Sequence, residues 1–85
     1  MDRTVTLAVG ESFQLRKGKD HITYAGMVTG KTFSLVQRKR KFVVPYAAWG
    51  FAWNLFYPRE QTHLTIDEVR IEVDNVTPEE IRLRV

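Results

Sequence analysis

Apolar and polar residues alternate through most of the first half of the chain, which is the pattern of strands that bury one face. Polar or glycine-containing stretches at 10–11, 16–20 and 29–30 separate the runs, and each favours a turn. No window before residue 42 shows the spacing of an amphipathic helix. We therefore expect antiparallel strands whose inward face is formed by Val5, Leu7, Val9, Phe13, Leu15, Ile22, Tyr24, Val28, Phe33 and Leu35.

The C-terminal part predicts two further strands separated by a short connection. Residues 69–73 and 81–85 each alternate apolar positions, which we expect to point inward, with charged outward positions. The intervening sequence Thr-Pro-Glu-Glu at 77–80 has the order of a helix cap, a first helical residue and the acid of a capping box. We therefore expect one short helical turn near residues 77–80.

Opposite charges predict the register of these two strands. If paired residue numbers sum to 156, Glu72 lies opposite Arg84 and Asp74 lies opposite Arg82. A shift by two residues places Arg70 opposite Arg84 and loses one favourable pair. Cross-strand pairs contribute only about 0.2–1 kcal/mol each, so the charges decide between registers of nearly equal energy.

The order of strand, single helical turn and final strand resembles the closing segment of SH3-like small barrels. This resemblance concerns the fold and implies no function. The chain contains no repeat, linker or low-complexity tract, and 85 residues are enough for one small core. The prediction is an all-β fold, a small antiparallel barrel or sandwich (SH3-like or similar), in a single domain spanning residues 1–85.

An aromatic-rich segment, residues 42–57, holds seven of the ten aromatic residues of the chain. As a strand it places alternate residues from 49 to 57 on one face, and as a helix it forms a stripe through every third or fourth residue. Gly50 disfavours the helix by roughly 1 kcal/mol and aromatic residues prefer strands, so we favour a strand. The candidate interface or ligand-binding residues are Tyr46, Trp49, Phe51, Trp53, Phe56 and Tyr57.

Seven rings, each able to bury about 150–250 Å², are more than so small a core holds beside its aliphatic residues. A second copy of the chain is the simplest cover, so we expect a homo-oligomer, a dimer or larger. A small-molecule pocket lined by the rings, or attachment to a membrane surface, is an alternative. A fourth interpretation folds most of the rings into the chain's own core.

A run of basic residues precedes the aromatic-rich segment and suggests a second function, the binding of nucleic acid. Residues 1–45 carry nine Lys and Arg against three Asp and Glu, whereas residues 46–85 carry four against seven. The basic side chains would contact phosphates while an aromatic ring stacks on a base. A solvated hairpin tip, or a charged run that keeps the aromatic-rich segment from pairing with other chains, explains the same residues without a ligand. The candidate nucleic-acid-binding residues are Arg38, Lys39, Arg40, Lys41 and Phe42.

Catalytic and metal chemistry find little support in the sequence. The chain has no cysteine, and His21 and His63 lie in no recognised ligand spacing, so we expect no metal and no cofactor. No nucleophile motif or phosphate-binding glycine loop is present. The N-terminus does not have the pattern of a signal peptide, and no apolar run is long enough to span a membrane. The sequence predicts a non-enzymatic, cytoplasmic binding or assembly module.

Overall fold

The structure, a computed structural model, describes residues 3–38 and 52–85 of the chain. These residues form eight antiparallel strands and contain no helix, so the all-β prediction is confirmed. The strands are β1 (Thr4–Ala8), β2 (Ser12–Gln14), β3 (His21–Thr29), β4 (Thr32–Arg38), β5 (Ala52–Pro58), β6 (His63–Ile66), β7 (Val69–Val76) and β8 (Glu80–Arg84).

The strands pair into two four-stranded sheets, with the orders β1-β8-β7-β6 and β2-β3-β4-β5. Within the described ranges the two sheets do not close into a barrel. No helix in this part of the chain is long and apolar enough to cross a membrane.

The core lies where the apolar faces of the two sheets meet. Alternating inward residues supply it, as the period of two predicts, and Ile22, Phe33, Leu35, Ile81 and Leu83 are fully buried. The cluster also contains Leu7, Leu15, Tyr24, Leu64, Ile66, Val69, Ile71, Val73, Val76 and Val85.

Two residues predicted to point inward are exposed instead. Val9 is 51% exposed because it follows the end of β1, where the chain turns. Val28 is 62% exposed because β3 has register irregularities between Tyr24 and Gly26 and again after Met27. A bulge inserts an extra residue and shifts the alternation that follows, so a strict period of two fails there.

Strand β6 is absent from the elements predicted from the sequence. Its Leu64 and Ile66 are buried, and β6 pairs with β7 through a two-residue turn. Both turn residues, Asp67 and Glu68, have positive φ angles, 50° and 64°. Such a turn matches the right-handed twist of a hairpin but usually contains glycine or asparagine, so the sequence carries only a weak signal for it.

The register of β7 and β8 is confirmed at one end and wrong at the other. Glu72 pairs with Arg84, and its Oε1 lies 2.6 Å from a terminal guanidinium nitrogen of Arg84. A register shift after Val73 then places Asn75, not Asp74, opposite Arg82. Asp74 instead accepts a 3.0 Å hydrogen bond from Nε of Arg84.

The predicted helical turn near residues 77–80 is wrong. The Thr77 side chain does act as a cap, because its Oγ1 accepts hydrogen bonds from the N–H groups of Glu79 and Glu80. However, the Thr77 N–H donates to the Glu80 carbonyl at 2.8 Å, which closes a tight turn around Pro78 and Glu79. Glu80 already belongs to β8, where it lies opposite Ala8 of β1, so strand pairing takes the place of a helix.

Tyr24 ties the two sheets together. Its ring is fully buried, and its hydroxyl donates a 2.5 Å hydrogen bond to the carbonyl of Thr77 in the turn between β7 and β8. Its backbone also accepts from Gly10 N–H and donates to the carbonyl of Glu11, where the chain passes from β1 to β2. Tyr24 therefore connects β3 to both of the turns beside it.

Tyr24→Phe should lower the free energy of unfolding by about 0.5–1.5 kcal/mol at neutral pH, because the bond to Thr77 is lost. Burial, and then the charge of Glu79, raise the pKa of Tyr24 above its ordinary value. The folded protein therefore holds this proton more tightly than the unfolded chain, and the stabilisation is complete below about pH 10 and lost above it. In urea melts, the difference between wild type and variant should narrow as the pH rises above about 10. A difference that stays constant to high pH would contradict this assignment.

Leu83→Ala should lower the free energy of unfolding by about 2–5 kcal/mol, because it opens a cavity at a fully buried site. The neighbouring Arg84→Ala should lower it by about 1 kcal/mol or less, because its ion pairs are exposed. Denaturant melts of both variants measure the order. A larger loss for Arg84→Ala would show that the inward and outward faces of β8 are misassigned.

Candidate interaction surface

Strand β5 supplies the described part of the aromatic-rich segment and lies at one edge of its sheet. All seven of its residues pair with β4, from Ala52 opposite Arg38 to Pro58 opposite Thr32. Among residues 3–38 and 52–85, no strand pairs with its other edge. The preference for a strand over a helix is therefore confirmed for the part of the segment from residue 52 onward.

One face of β5 contributes to the core. Leu55 and Tyr57 are half-buried and pack against the core cluster, and the ring centroids of Tyr57 and Phe33 lie 5.5 Å apart. Burial also raises the pKa of Tyr57 above its ordinary value. Tyr57, a candidate interface residue, thus already packs part of its ring within the monomer.

Two other rings of β5 remain accessible to solvent. Trp53 is 44% exposed and Phe56 is 58% exposed, and the alternation of the strand places them on opposite faces. Ser34, opposite Phe56 on β4, is small and nearly fully buried. β5 contains no charged residue, whereas exposed edge strands usually carry charges that discourage pairing with other chains.

Several candidate residues lie outside the described residues, and the structure does not test them. They are Tyr46, Trp49 and Phe51 of the aromatic-rich segment, and Lys39, Arg40, Lys41 and Phe42 of the basic run.

Arg38 is the described member of the basic run. It is exposed at the end of β4, between His21 on β3 and Ala52 on β5. The alternation of β4 and β5 places Arg38 on the same outer face of the sheet as Phe56. One cation and one exposed ring therefore share this face.

A buried polar contact beside β5 is absent from the predicted site. Asp20 is only 5% exposed, and its Oδ2 accepts a 2.8 Å hydrogen bond from the side-chain amide of Gln37. The Asp20 N–H donates to Oδ2 of Asp67 at 2.9 Å, which links the loop before β3 to the turn after β6. Gln37 lies opposite Trp53 in the register. The contact thus fixes the position of β4 opposite Trp53. Its signal in the sequence is Gln37, which follows Phe33 and Leu35 at the spacing of inward-facing residues.

An open depression of about 170 Å³ lies at the other end of β5, lined by residues 59–62 and 73–76. It contains none of the candidate aromatic residues, so it does not form the predicted ring-lined pocket. In the described ranges no three His, Asp or Glu side chains converge as metal ligands would.

No family model, curated protein or solved structure matches this chain. The candidate surface is therefore defined by its own geometry, namely an uncharged strand at a sheet edge with two accessible rings.

Proposed function

We propose that the chain is a non-enzymatic binding and assembly module that associates with a second copy of itself through the surface around β5. The observation that carries this proposal is the exposure of Trp53 and Phe56 on an uncharged edge strand. Large accessible rings are common at the centres of interfaces, where they bury apolar area with little loss of side-chain entropy.

Burial of the Trp53 and Phe56 rings would favour association of two copies, but only by a limited free energy. With exposures of 44% and 58%, they leave about 200 Å² of apolar surface on each copy. Because the two rings lie on opposite faces of β5, one contact covers only part of this surface. Full burial on both copies, about 10 kcal/mol at ~25 cal/mol per Å², is therefore an upper limit, against an association cost of about 4–15 kcal/mol. The rings alone therefore support a weak dimer. Tyr46, Trp49 and Phe51 are the further side chains that we propose contribute to the contact.

An SH3-like barrel is the finer architecture that we propose for this module. Hydrogen bonds from Gly10 N–H to the Tyr24 carbonyl and from Tyr24 N–H to the Glu11 carbonyl carry the chain from one sheet to the other. The bulge between Tyr24 and Gly26, with Gly26 at a φ of 95°, bends β3 at the same place. Both features support barrel-like closure on this side of the molecule.

Light scattering should report a dimer or larger species whose fraction rises with protein concentration. Phe56→Glu and Trp53→Glu should each shift the protein toward monomer, because burial in the contact would desolvate the new carboxylate. A loss of affinity of about 10-fold or more is expected for each variant.

Val9→Glu is the matched control, because Val9 is also an exposed apolar residue, 51% exposed, but lies in the turn after β1. This variant should associate like the wild type. A wild-type protein that stays monomeric at millimolar concentration would overturn the proposal, and an equal effect of Val9→Glu would show that the contact does not depend on β5.

Binding of single-stranded nucleic acid is the second candidate function. The observation that favours it is the shared outer face of Arg38 and Phe56, one able to contact a phosphate and the other able to stack on a base. The neighbouring residues Lys39, Arg40 and Lys41 would extend the cationic surface.

If this second function holds, affinity for a single-stranded oligonucleotide should fall steeply between about 50 and 200 mM salt. Arg38→Ala combined with Arg40→Ala should weaken binding and reduce the dependence on salt, because fewer counterions are released. Fluorescence anisotropy with a labelled oligonucleotide measures both effects. Absence of binding by micromolar protein at low salt would remove this candidate.

A further inference from the structure

We infer that the turn between β2 and β3, which contains Arg16 and Lys17, is a second phosphate-contacting element beside Arg38. The turn and Arg38 together contact single-stranded nucleic acid that lies on the outer face of the β2-β3-β4-β5 sheet. This inference rests on the second candidate function, the binding of nucleic acid, and extends it. It adds two cations that are distant in sequence from the basic run at 38–41.

Backbone hydrogen bonds extend the β2–β3 hairpin beyond the two strands. Leu15 N–H donates to the Asp20 carbonyl at 3.0 Å. Lys19 N–H donates to the Arg16 carbonyl at 2.9 Å, which closes a tight turn around Lys17. Arg16 and Lys17 are both exposed. The turn is therefore an ordered projection that presents two cations to solvent.

The register places this turn at the same end of the sheet as Arg38. Gln14 on β2 lies opposite His21 on β3, and His21 lies opposite Arg38 on β4. Arg16 follows Gln14 by two residues, so the alternation of a strand places it on the outer face that carries Arg38. Arg16, Lys17 and Arg38 therefore lie at one end of this sheet.

A buried polar contact holds the turn against both sheets. Oδ2 of Asp20 accepts a 2.8 Å hydrogen bond from the side-chain amide of Gln37, the residue before Arg38. The Asp20 N–H donates to Oδ2 of Asp67 in the turn between β6 and β7. Because the backbone of the turn is already fixed, a phosphate that binds there orders only the side chains, which lowers the entropic cost of binding.

The nearby acids leave two cations of the turn unpaired. Nζ of Lys19 lies 3.5 Å from Oε1 of Glu68, so Lys19 already has an acidic partner. In the part of the chain that the structure describes, neither Arg16 nor Lys17 forms an ion pair. An unpaired surface cation contacts a phosphate without first breaking another ion pair. Arg16 and Lys17, rather than Lys19, are therefore the inferred phosphate contacts.

Charge favours the sheet beside this turn over the other sheet. Strands β2, β3, β4 and β5 contain neither Asp nor Glu. The outer face of the other sheet carries Glu72 and Asp74, which pair with Arg84 at 2.6 and 3.0 Å. A polyanion on the acid-free strands meets no repulsion from them, so charge complementarity selects that face.

Two uncharged side chains on this face favour nucleic acid over other polyanions. Phe56 is 58% exposed, and Ser34, which lies opposite it on β4, is small and nearly fully buried. Asn54 is also exposed and lies on the same face, two residues from Phe56. An accessible ring stacks on an unpaired base, and a side-chain amide bonds to the edge of a base. Anionic phospholipids and acidic peptides carry no base for these groups to contact.

Arg16→Gln combined with Lys17→Gln should weaken binding of a labelled single-stranded oligonucleotide about 10-fold at about 50 mM salt. The slope of log affinity against log salt should become less steep by about 1.4, because two phosphate contacts at about 0.7 each are lost. Fluorescence anisotropy at several salt concentrations measures both quantities.

Lys31→Gln combined with Arg59→Gln is the matched control. It removes the same two charges from the opposite end of the same sheet, where the Arg59 N–H donates to the Lys31 carbonyl at 2.7 Å. This variant should change the affinity by about two-fold or less, because salt screens distant charges. All four side chains are exposed, so both double variants should fold, which thermal melts verify.

Phe56→Leu tests the choice of partner. It should weaken binding of the oligonucleotide about 10-fold and leave the salt slope unchanged, because stacking is lost while the phosphate contacts remain. An unchanged affinity would overturn nucleic acid on this face.

The remaining outcomes separate the inference from the function on which it rests. Equal losses for the two double variants would overturn the inference, since binding would then follow net charge alone. A loss for Arg38→Ala combined with Arg40→Ala, without a loss for the turn variant, would refute the role of the turn and leave the second candidate function intact. Absence of oligonucleotide binding by the micromolar wild type at low salt would refute both, whether or not the protein binds vesicles of anionic phospholipid.

Discussion

The packing of one sheet over the other depends on Tyr24, which is bound to three parts of the chain at once. Its ring is buried in the core, its hydroxyl donates to Thr77, and its backbone pairs with Gly10 and Glu11. These contacts set the position of β3, and β4 and β5 follow from β3 by antiparallel pairing. The exposed edge of β5 is thus positioned, through two neighbouring strands, by the contacts of a residue in the interior.

Sequence alone predicts the fold best where burial alternates without interruption. In β8, Ile81 and Leu83 point inward as their spacing indicates, and Glu72 pairs with Arg84 as their charges indicate. Prediction fails where local backbone geometry changes the period. The irregularity in β3 exposes Val28, and the one in β7 moves Asp74 away from Arg82. A bulge depends on how a strand pairs with its neighbour. The alternation of apolar and polar residues within one strand therefore does not predict where a bulge occurs.

The candidate surface is predictable in its composition but not in its placement. The richness in aromatic residues and the preference for a strand are visible in the sequence, and the strand is confirmed from residue 52 onward. Which rings are exposed depends on the tertiary structure, since Tyr57 packs on Phe33 while the preceding residue, Phe56, faces solvent. The edge position of β5 follows from sheet order, which brings together strands distant in sequence.

The most direct test of the account is amide hydrogen exchange of β5 at several protein concentrations. Among residues 3–38 and 52–85 no strand pairs with the outer edge of β5, so the N–H groups of residues 54–57 that point away from β4 should exchange rapidly in the monomer. Pairing with a second copy should slow their exchange as the concentration rises, while the amides of β8 in the core keep a constant rate. Exchange in β5 that is equally slow at all concentrations, or equally fast, would contradict assembly through this edge.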